Sequence, residues 1–250
     1  MHYIVFDLEF NQDPDSLMIP QGKYSFEIIQ VGAVKLDGDF NRVATFSRLV
    51  KPSIYSRISE FITELTGITT ESLKSEQTFS QVYKEFLEFV NEPEIVLCTW
   101  GMADMKELIR NAIYHKLDEK LLPNRYINIQ PLTSVHLGLP KKKPLGLKYC
   151  VEALNIDISY AFHDALNDAL YTAEVFKKVY NSGVKPRRYD PTVVLKAVRP
   201  AKMTLDFPLL ISQLEKMFSK EMTVEEQEII RLAYHMGKTG QFLKAEDKNK

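Results

Sequence analysis

Four acidic residues and one histidine are the groups in this chain whose types and spacing could do chemistry. Asp7 and Glu9 stand two apart in YIVFDLEF (3–10), a segment otherwise aliphatic or aromatic. Residues two apart on a strand share a face, so these carboxylates would project side by side from apolar surroundings. Desolvation and mutual repulsion make such a pair hard to ionise, and a bound divalent cation is the natural remedy. An edge strand with two solvated acids is the alternative. Asp104 follows the apolar run EIVLCTW (94–100) in Trp100-Gly101-Met102-Ala103-Asp104. Sites gather where strands give way to helices; taken alone, though, Asp104 reads better as an N-cap. His163 and Asp168 lie in HDALND (163–168), spaced as a base beside a metal ligand would be. Their alternative is a plain helix start, with Asp164 as cap and His163 half exposed.

These groups must be held by the surrounding elements. Residues 3–10 read as a buried strand. The segment 26–36 runs into Asp37-Gly38, a tight-hairpin signal, and 43–50 reads as the returning strand. From Thr78 the period changes: Thr78 with Gln81 resembles a capping box, and Phe79, Val82, Tyr83, Phe86 and Val90 recur at helical spacing. A strand over 94–100, a helix over 103–116, a short strand over 126–129 and helices over 145–155 and 164–180 follow. A meander that passes into alternating strands and helices predicts a mixed sheet covered by helices.

Beyond Gly183 the composition shifts to prolines and basic residues, which predicts a main domain over 1–183 and an extension over 184–250. Two helices are expected there, about 206–219 and 223–236, the second opened by Thr223 with Glu226 and closed by Gly237. The tail after Leu243 reads as disordered. Gly237-Lys238-Thr239 looks like the end of a phosphate loop, but the glycine required earlier in that motif is Leu232 and no strand precedes it.

The chain has 250 residues, 45% hydrophobic and 26% charged, ordinary for a soluble globular protein with a substantial core. Its formal net charge is -1, so no global positive field attracts a polyanion, and any grip on nucleic acid must be local. Lys141, Lys142 and Lys143 are one local basic run, either a phosphate contact or a solvated loop. Cys98 and Cys150 sit in apolar stretches without metal or redox spacing and are expected to be reduced core residues. Because Asp7 and Glu9 interrupt the first apolar segment, it is neither a signal segment nor a membrane span, and a cytoplasmic protein is expected.

Taken together, the motifs resemble the DEDDh (DnaQ-like) 3′→5′ exonucleases, whose fold is ribonuclease-H-like. Asp7-Leu8-Glu9 looks like the first motif of that family, Asp104 the second and His163-x-Ala165-x-x-Asp168 the third, while Glu27-Ile28-Ile29-Gln30-Val31-Gly32 is similar to its second strand. Within the family, 58–69 and 99–108 look closest to the Eri-type RNA exonucleases and the bacterial KapD-like group. Phe10 and Asn11 depart from the pattern, since many relatives carry small or hydroxyl residues there.

The resemblance implies a mixed five-stranded α/β sheet flanked by helices, with a small helical C-terminal extension. It implies a metal-dependent exonuclease that releases 5′-mononucleotides from the 3′ end of single-stranded nucleic acid, RNA favoured over DNA. Asp7, Glu9, Asp104 and Asp168 would hold two Mg²⁺ or Mn²⁺ ions and His163 would be the general base. Leu8, Phe10, Met102 and His163 would touch the substrate, with the apolar loop 61–68 bracketing the terminal base and Phe10 either stacking on it or packing in the core. A DNA proofreading enzyme and a sporulation-type regulatory protein are the alternatives. The extension 184–250 would bind a protein partner or a second copy.

Overall fold

A computed structural model of the chain describes residues 1–12, 26–140, 145–191 and 205–238. It divides into two compact units, Met1–Arg199 and Pro200–Lys250.

The first unit is built on a six-stranded sheet. Its strands are β1 (His2–Asn11), β2 (Glu27–Leu36), β3 (Arg42–Leu49), β4 (Ile95–Thr99), β5 (Arg125–Asn128) and the two-residue β6 (Arg187–Arg188). Their spatial order is β3-β2-β1-β4-β5-β6. β1, β4 and β5 run parallel, while β2, β3 and β6 run antiparallel to their neighbours. The five expected strands are all present. The sixth pairs Arg187 and Arg188 with Tyr126 and Arg125, so the sheet continues past the expected boundary near 184.

Strand alternation divides the core in two. Ile4, Phe6 and Leu8 of β1 face a cluster shared with α3 (Phe79–Phe89) and α4 (Ala103–Tyr114). Tyr3 and Val5 face the opposite cluster, shared with α6 (Leu147–Ala153) and α7 (Ala165–Val179). Asp7 and Glu9 continue that second face as the strand leaves the core. Cys98 and Cys150 are buried free thiols; burial pushes Cys150 up to about 11 and Cys98 higher still.

Two local expectations are corrected. The Asp37-Gly38 turn is not a two-residue hairpin, because β2 and β3 are joined by the segment 37–41. The Asp37 carboxylate accepts from the backbone amides of Asp39 (2.9 Å) and Asn41 (2.8 Å), and Phe40 takes a left-handed φ of 65°. That widening lays the Phe40 ring on Tyr3 (centroids 5.2 Å apart) and beside Phe176 (5.3 Å), contacts a tight turn would forgo.

The apolar loop 61–68 is instead mostly α1 (Glu60–Thr66), followed by α2 (Thr70–Leu73). Ser59 caps α1 by accepting from the Ile62 amide, and Gly67, at φ 74°, closes it in the left-handed conformation favoured by glycine. Ile58, Ile62, Ile68 and Leu73 bury this layer against Ile29 of β2. A further helix, α5 (Gln130–His136), follows β5 directly.

In the second unit, α8 (Phe207–Phe218) and α9 (Val224–Lys238) stand where the two helices are expected, but α9 runs through Gly237 to Lys238, so that glycine does not close it. Thr223 and Glu226 form the expected capping box: the Thr223 amide donates to Glu226 Oε2 (2.9 Å) and the Glu226 amide to Thr223 Oγ1 (3.3 Å). Lys141–Lys143, Thr239 and the tail after Leu243 lie outside the described residues. No helix among the described residues is long and apolar enough to cross a membrane.

Candidate active site

The site lies at the C-terminal ends of the parallel strands, where α4 and α7 begin. On β1, Asp7 is opposite Gly32 and Glu9 opposite Gln30; the register then slips between Glu9 and Phe10. Asp7, Glu9, Gln30 and Gly32 therefore present one face, and the N-terminus of α7 is laid over it.

Two features bring α7 down onto that face. Gly32 lacks the Cβ that would collide with the backbone of Ala165. Buried Gln30 then fixes the register, donating through Nε2 to Asp164 Oδ2 (2.7 Å) and accepting from the Ala165 amide at Oε1 (3.1 Å). Asp164 also caps α7, accepting from the Asn167 amide at 3.0 Å. It serves both as the helix cap and as a strut between sheet and helix.

This docking delivers Asp168 and His163. Asp168 is buried in the first turn of α7. His163, just before the helix, is exposed and holds a left-handed φ of 65°, and its backbone N–H donates to Asp168 Oδ2 at 3.3 Å. A non-glycine residue in that region is uncommon, and here the turn places the imidazole beside the carboxylates. Ligand atoms of Glu9, His163 and Asp168 all lie within 4.8 Å of one another.

Asp104 arrives from the other layer. It does not cap α4: Met102 occupies that position without a side-chain hydrogen bond, and Asp104 is buried in the first turn. Asn111 locks α4 to β2, accepting from the Ile28 amide (3.2 Å) and donating to the Phe26 carbonyl (3.1 Å).

Burial drives the Asp7 carboxyl well above the ordinary carboxylate range, and Asp104, Asp168, Glu9 and Asp164 push it the same way. Burial lifts Glu9 to about 8, reinforced by Asp168, Asp104 and Asp164. Asp104 is raised by burial and held back by hydrogen bonds from its own backbone and that of Leu8. Asp168 rises to about 6, burial outweighing the His163 backbone hydrogen bond. Four carboxyls thus converge where the bare protein cannot hold all of them ionised at neutral pH. Asp168 Oδ1 is buried and has no hydrogen-bond partner, leaving its lone pairs available to a cation. The residues fit an oxygen-liganded divalent ion.

The remaining sequence candidates have simpler surroundings. Leu8 is buried in the α3/α4 core. Phe10 packs against that core and against the Phe26 ring, centroids 5.8 Å apart. Met102 is half-buried beside Asp104. Asn11, a departure from the family pattern, is fully buried and ties α1 to β1: it donates to the Arg57 carbonyl (3.0 Å) and accepts from the Ser59 amide (3.1 Å).

Gln30 and Gly32 belong to the stretch that resembles the second strand of the family, and the sequence assigns neither a task. A glycine inside an apolar strand is the signal that marks Gly32, because such glycines often mark close backbone approach.

This fold and constellation define a nuclease of the ribonuclease-H-like class, and the chain belongs to the RNase_T exonuclease family, which it matches over residues 4–176. It is a DEDDh 3′→5′ exonuclease, a hydrolase. It is 27% identical over 211 residues to the probable 3′-5′ exonuclease KapD of Bacillus subtilis (strain 168), covering 77% of this chain and 96% of that one. It is 32% identical over 153 residues to the DNA polymerase III subunit epsilon of Aquifex aeolicus (strain VF5), covering 61% and 71%. With the human 3′-5′ exoribonuclease 1 it shares 25% identity over 173 residues, 66% of this chain and 49% of that one. The nuclease domain of 3′hExo, a DEDDh family member solved bound to rAMP, has the same fold (TM-score 0.63, 23% identity, 76% of this chain and 96% of that one). DEDDh exonucleases use divalent metals, and a carboxylate and histidine cluster is present here.

Proposed function

We propose that this chain removes 5′-mononucleotides from the 3′ end of single-stranded RNA in preference to DNA, through Asp7, Glu9, Asp104, Asp168 and His163. The observation that carries this reading is the convergence of four carboxyls from β1, α4 and α7, three of them buried, beside an exposed imidazole.

Asp7, Glu9, Asp104 and Asp168 would hold two Mg²⁺ or Mn²⁺ ions, hard cations suited to oxygen donors, which would supply positive charge at the scissile phosphate and lower the pKa of water. His163 takes the proton of the attacking water: its ring is exposed, within 4.8 Å of Glu9 and Asp168, and tethered through its backbone to Asp168. Phe10 and Met102 border the terminal nucleotide, and Leu8 does so only through its backbone because its side chain is buried in the α3/α4 core. Phe61 and Leu65, one turn apart on α1 and 61% and 38% exposed, offer an apolar surface to its base.

The preference for RNA rests on the exoribonuclease relatives. Matched single-stranded RNA and DNA of one sequence, labelled at the 5′ end and incubated with Mg²⁺, test it. Stepwise 3′ shortening of RNA at least tenfold faster than DNA is expected; equal or reversed rates would remove the preference. The reversed order would favour the second reading, a proofreading-type DNA exonuclease, which the epsilon match at 32% identity supports.

The extension is assigned to protein binding or self-association in the cytoplasm, because Met217, Phe218, Ile229 and Leu232 of α8 and α9 are each at least 60% exposed. Truncation at Pro200, which spares β6, is expected to preserve turnover of short oligonucleotides while losing the partner or the dimer.

A further inference from the structure

We infer that a groove beside the candidate site, running from Met102 to β6, binds the single strand upstream of the scissile phosphate, with Lys185 and Arg187 as its phosphate contacts. This rests on the exonuclease reading and extends it to nucleotides the carboxylates never touch.

The groove encloses about 600 Å³ between the end of β5 and the chain leading into β6. Met102, two residues before Asp104, lines it, and it lies at the C-terminal end of β5, the edge where open α/β sheets place their ligands. Tyr126, Asn128 and Leu132 line it together with Lys185 and Arg187.

Charge selects the occupant. The chain as a whole is at -1 and the adjacent site is a cluster of acids, yet this lining contains two cations and no carboxylate. Lys185 and Arg187 are exposed and form no ion pair among the described residues. Arg187 lies directly across from Tyr126 in the β5–β6 pairing, which sets a cation beside an aromatic ring of the same lining. Aromatic surface combined with cations is how single strands are gripped without sequence preference.

The test uses fluorescein-labelled single-stranded oligonucleotides of three and twelve nucleotides, with the full chain and its Lys185→Glu/Arg187→Glu variant. Binding is read by anisotropy in an Asp7→Asn background and turnover in the parent background. The double variant is expected to weaken 12-mer binding at least tenfold more than trinucleotide binding. The slope of log affinity against log salt should fall by about 1.4, at roughly 0.7 per single-strand phosphate contact. Lys185→Glu alone, outside the β6 pairing, should show about half that slope change. Equal losses for the two lengths, or an unchanged 12-mer slope, would overturn the groove while trinucleotide turnover by the parent chain leaves the exonuclease reading standing. A parent chain that hydrolyses neither oligonucleotide would overturn both.

Discussion

Gly32 lies directly against Ala165: a Cβ on residue 32 would stand 2.1 Å from the Ala165 carbonyl carbon and 2.2 Å from the Leu166 nitrogen. Both neighbours are backbone atoms, so no side-chain rotation can make room. The first turn of α7 reaches Asp7 and Glu9 because β2 has no side chain at this point. Gly32→Ala must lift the helix or bend the strand, at about 1–3 kcal/mol or more for overpacking. Thermal unfolding should show that loss, and turnover should fall further than the unfolded fraction explains. Unaltered stability and turnover would show that α7 is not held by this contact.

Gln30 supplies the polar half of the same docking. Gln30→Ala removes the bonds to Asp164 and Ala165, leaving a buried amide without its acceptor, at about 1–3 kcal/mol. We expect kcat to drop while oligonucleotide affinity changes little, because Gln30 orients the Asp168 and His163 turn. A KM effect with intact kcat would argue against that role.

For the carboxylates, Asp7→Asn should abolish Mg²⁺-dependent turnover while the fold and much of single-strand binding persist. His163→Ala should lower kcat about 10²-fold or more, the usual scale for a lost general base. Steady-state rates across pH check both: metal-dependent activity surviving in Asp7→Asn, or an unchanged rate in His163→Ala, would remove that residue from the mechanism.

The metal-free protein should respond to pH through the same acids. A carboxyl whose pKa is higher in the folded chain than in the unfolded one stabilises the fold while protonated. That contribution is complete below the unfolded value and lost as pH rises through the folded one. Glu9 shifts from 4.5 to about 8 and Asp168 from 3.8 to about 6, so the loss falls between pH 4 and 8. In EDTA, Glu9→Gln should match the parent Tm near pH 4 and exceed it at pH 8. Saturating Mg²⁺ should reverse that order. Parallel Tm curves without metal would contradict the raised Glu9.

Much of the plan was legible because it is written in local periods. β-Branched and aromatic runs marked β1 to β3, helical spacing marked α3, and the capping box marked the start of α9. The exceptions are short or depend on distant partners. The two residues of β6 have no period, and only their pairing with Arg125 and Tyr126 makes them a strand. Helix α1 is a single capped stretch whose apolar residues resemble a loop until Ile29 and Leu73 bury them. The wide turn at 37–41 follows from where Phe40 finds Tyr3, which the Asp37-Gly38 pair does not encode.

The sequence by itself determined the inventory: two acids on one face of β1, a third where β4 yields to α4, a fourth with its histidine at the head of α7. Asp104 and Asp168 separately resembled helix caps, and nothing in their spacing required them to meet Asp7. Only the tertiary structure decided that, since both are buried in first turns while Met102 and Asp164 occupy the cap positions. The physical reason is that Coulomb coupling and desolvation depend on distance through space and on exclusion of water. Both are set by how closely α7 can cross β2, and hence by the hydrogen atom at Gly32 and the amide of Gln30.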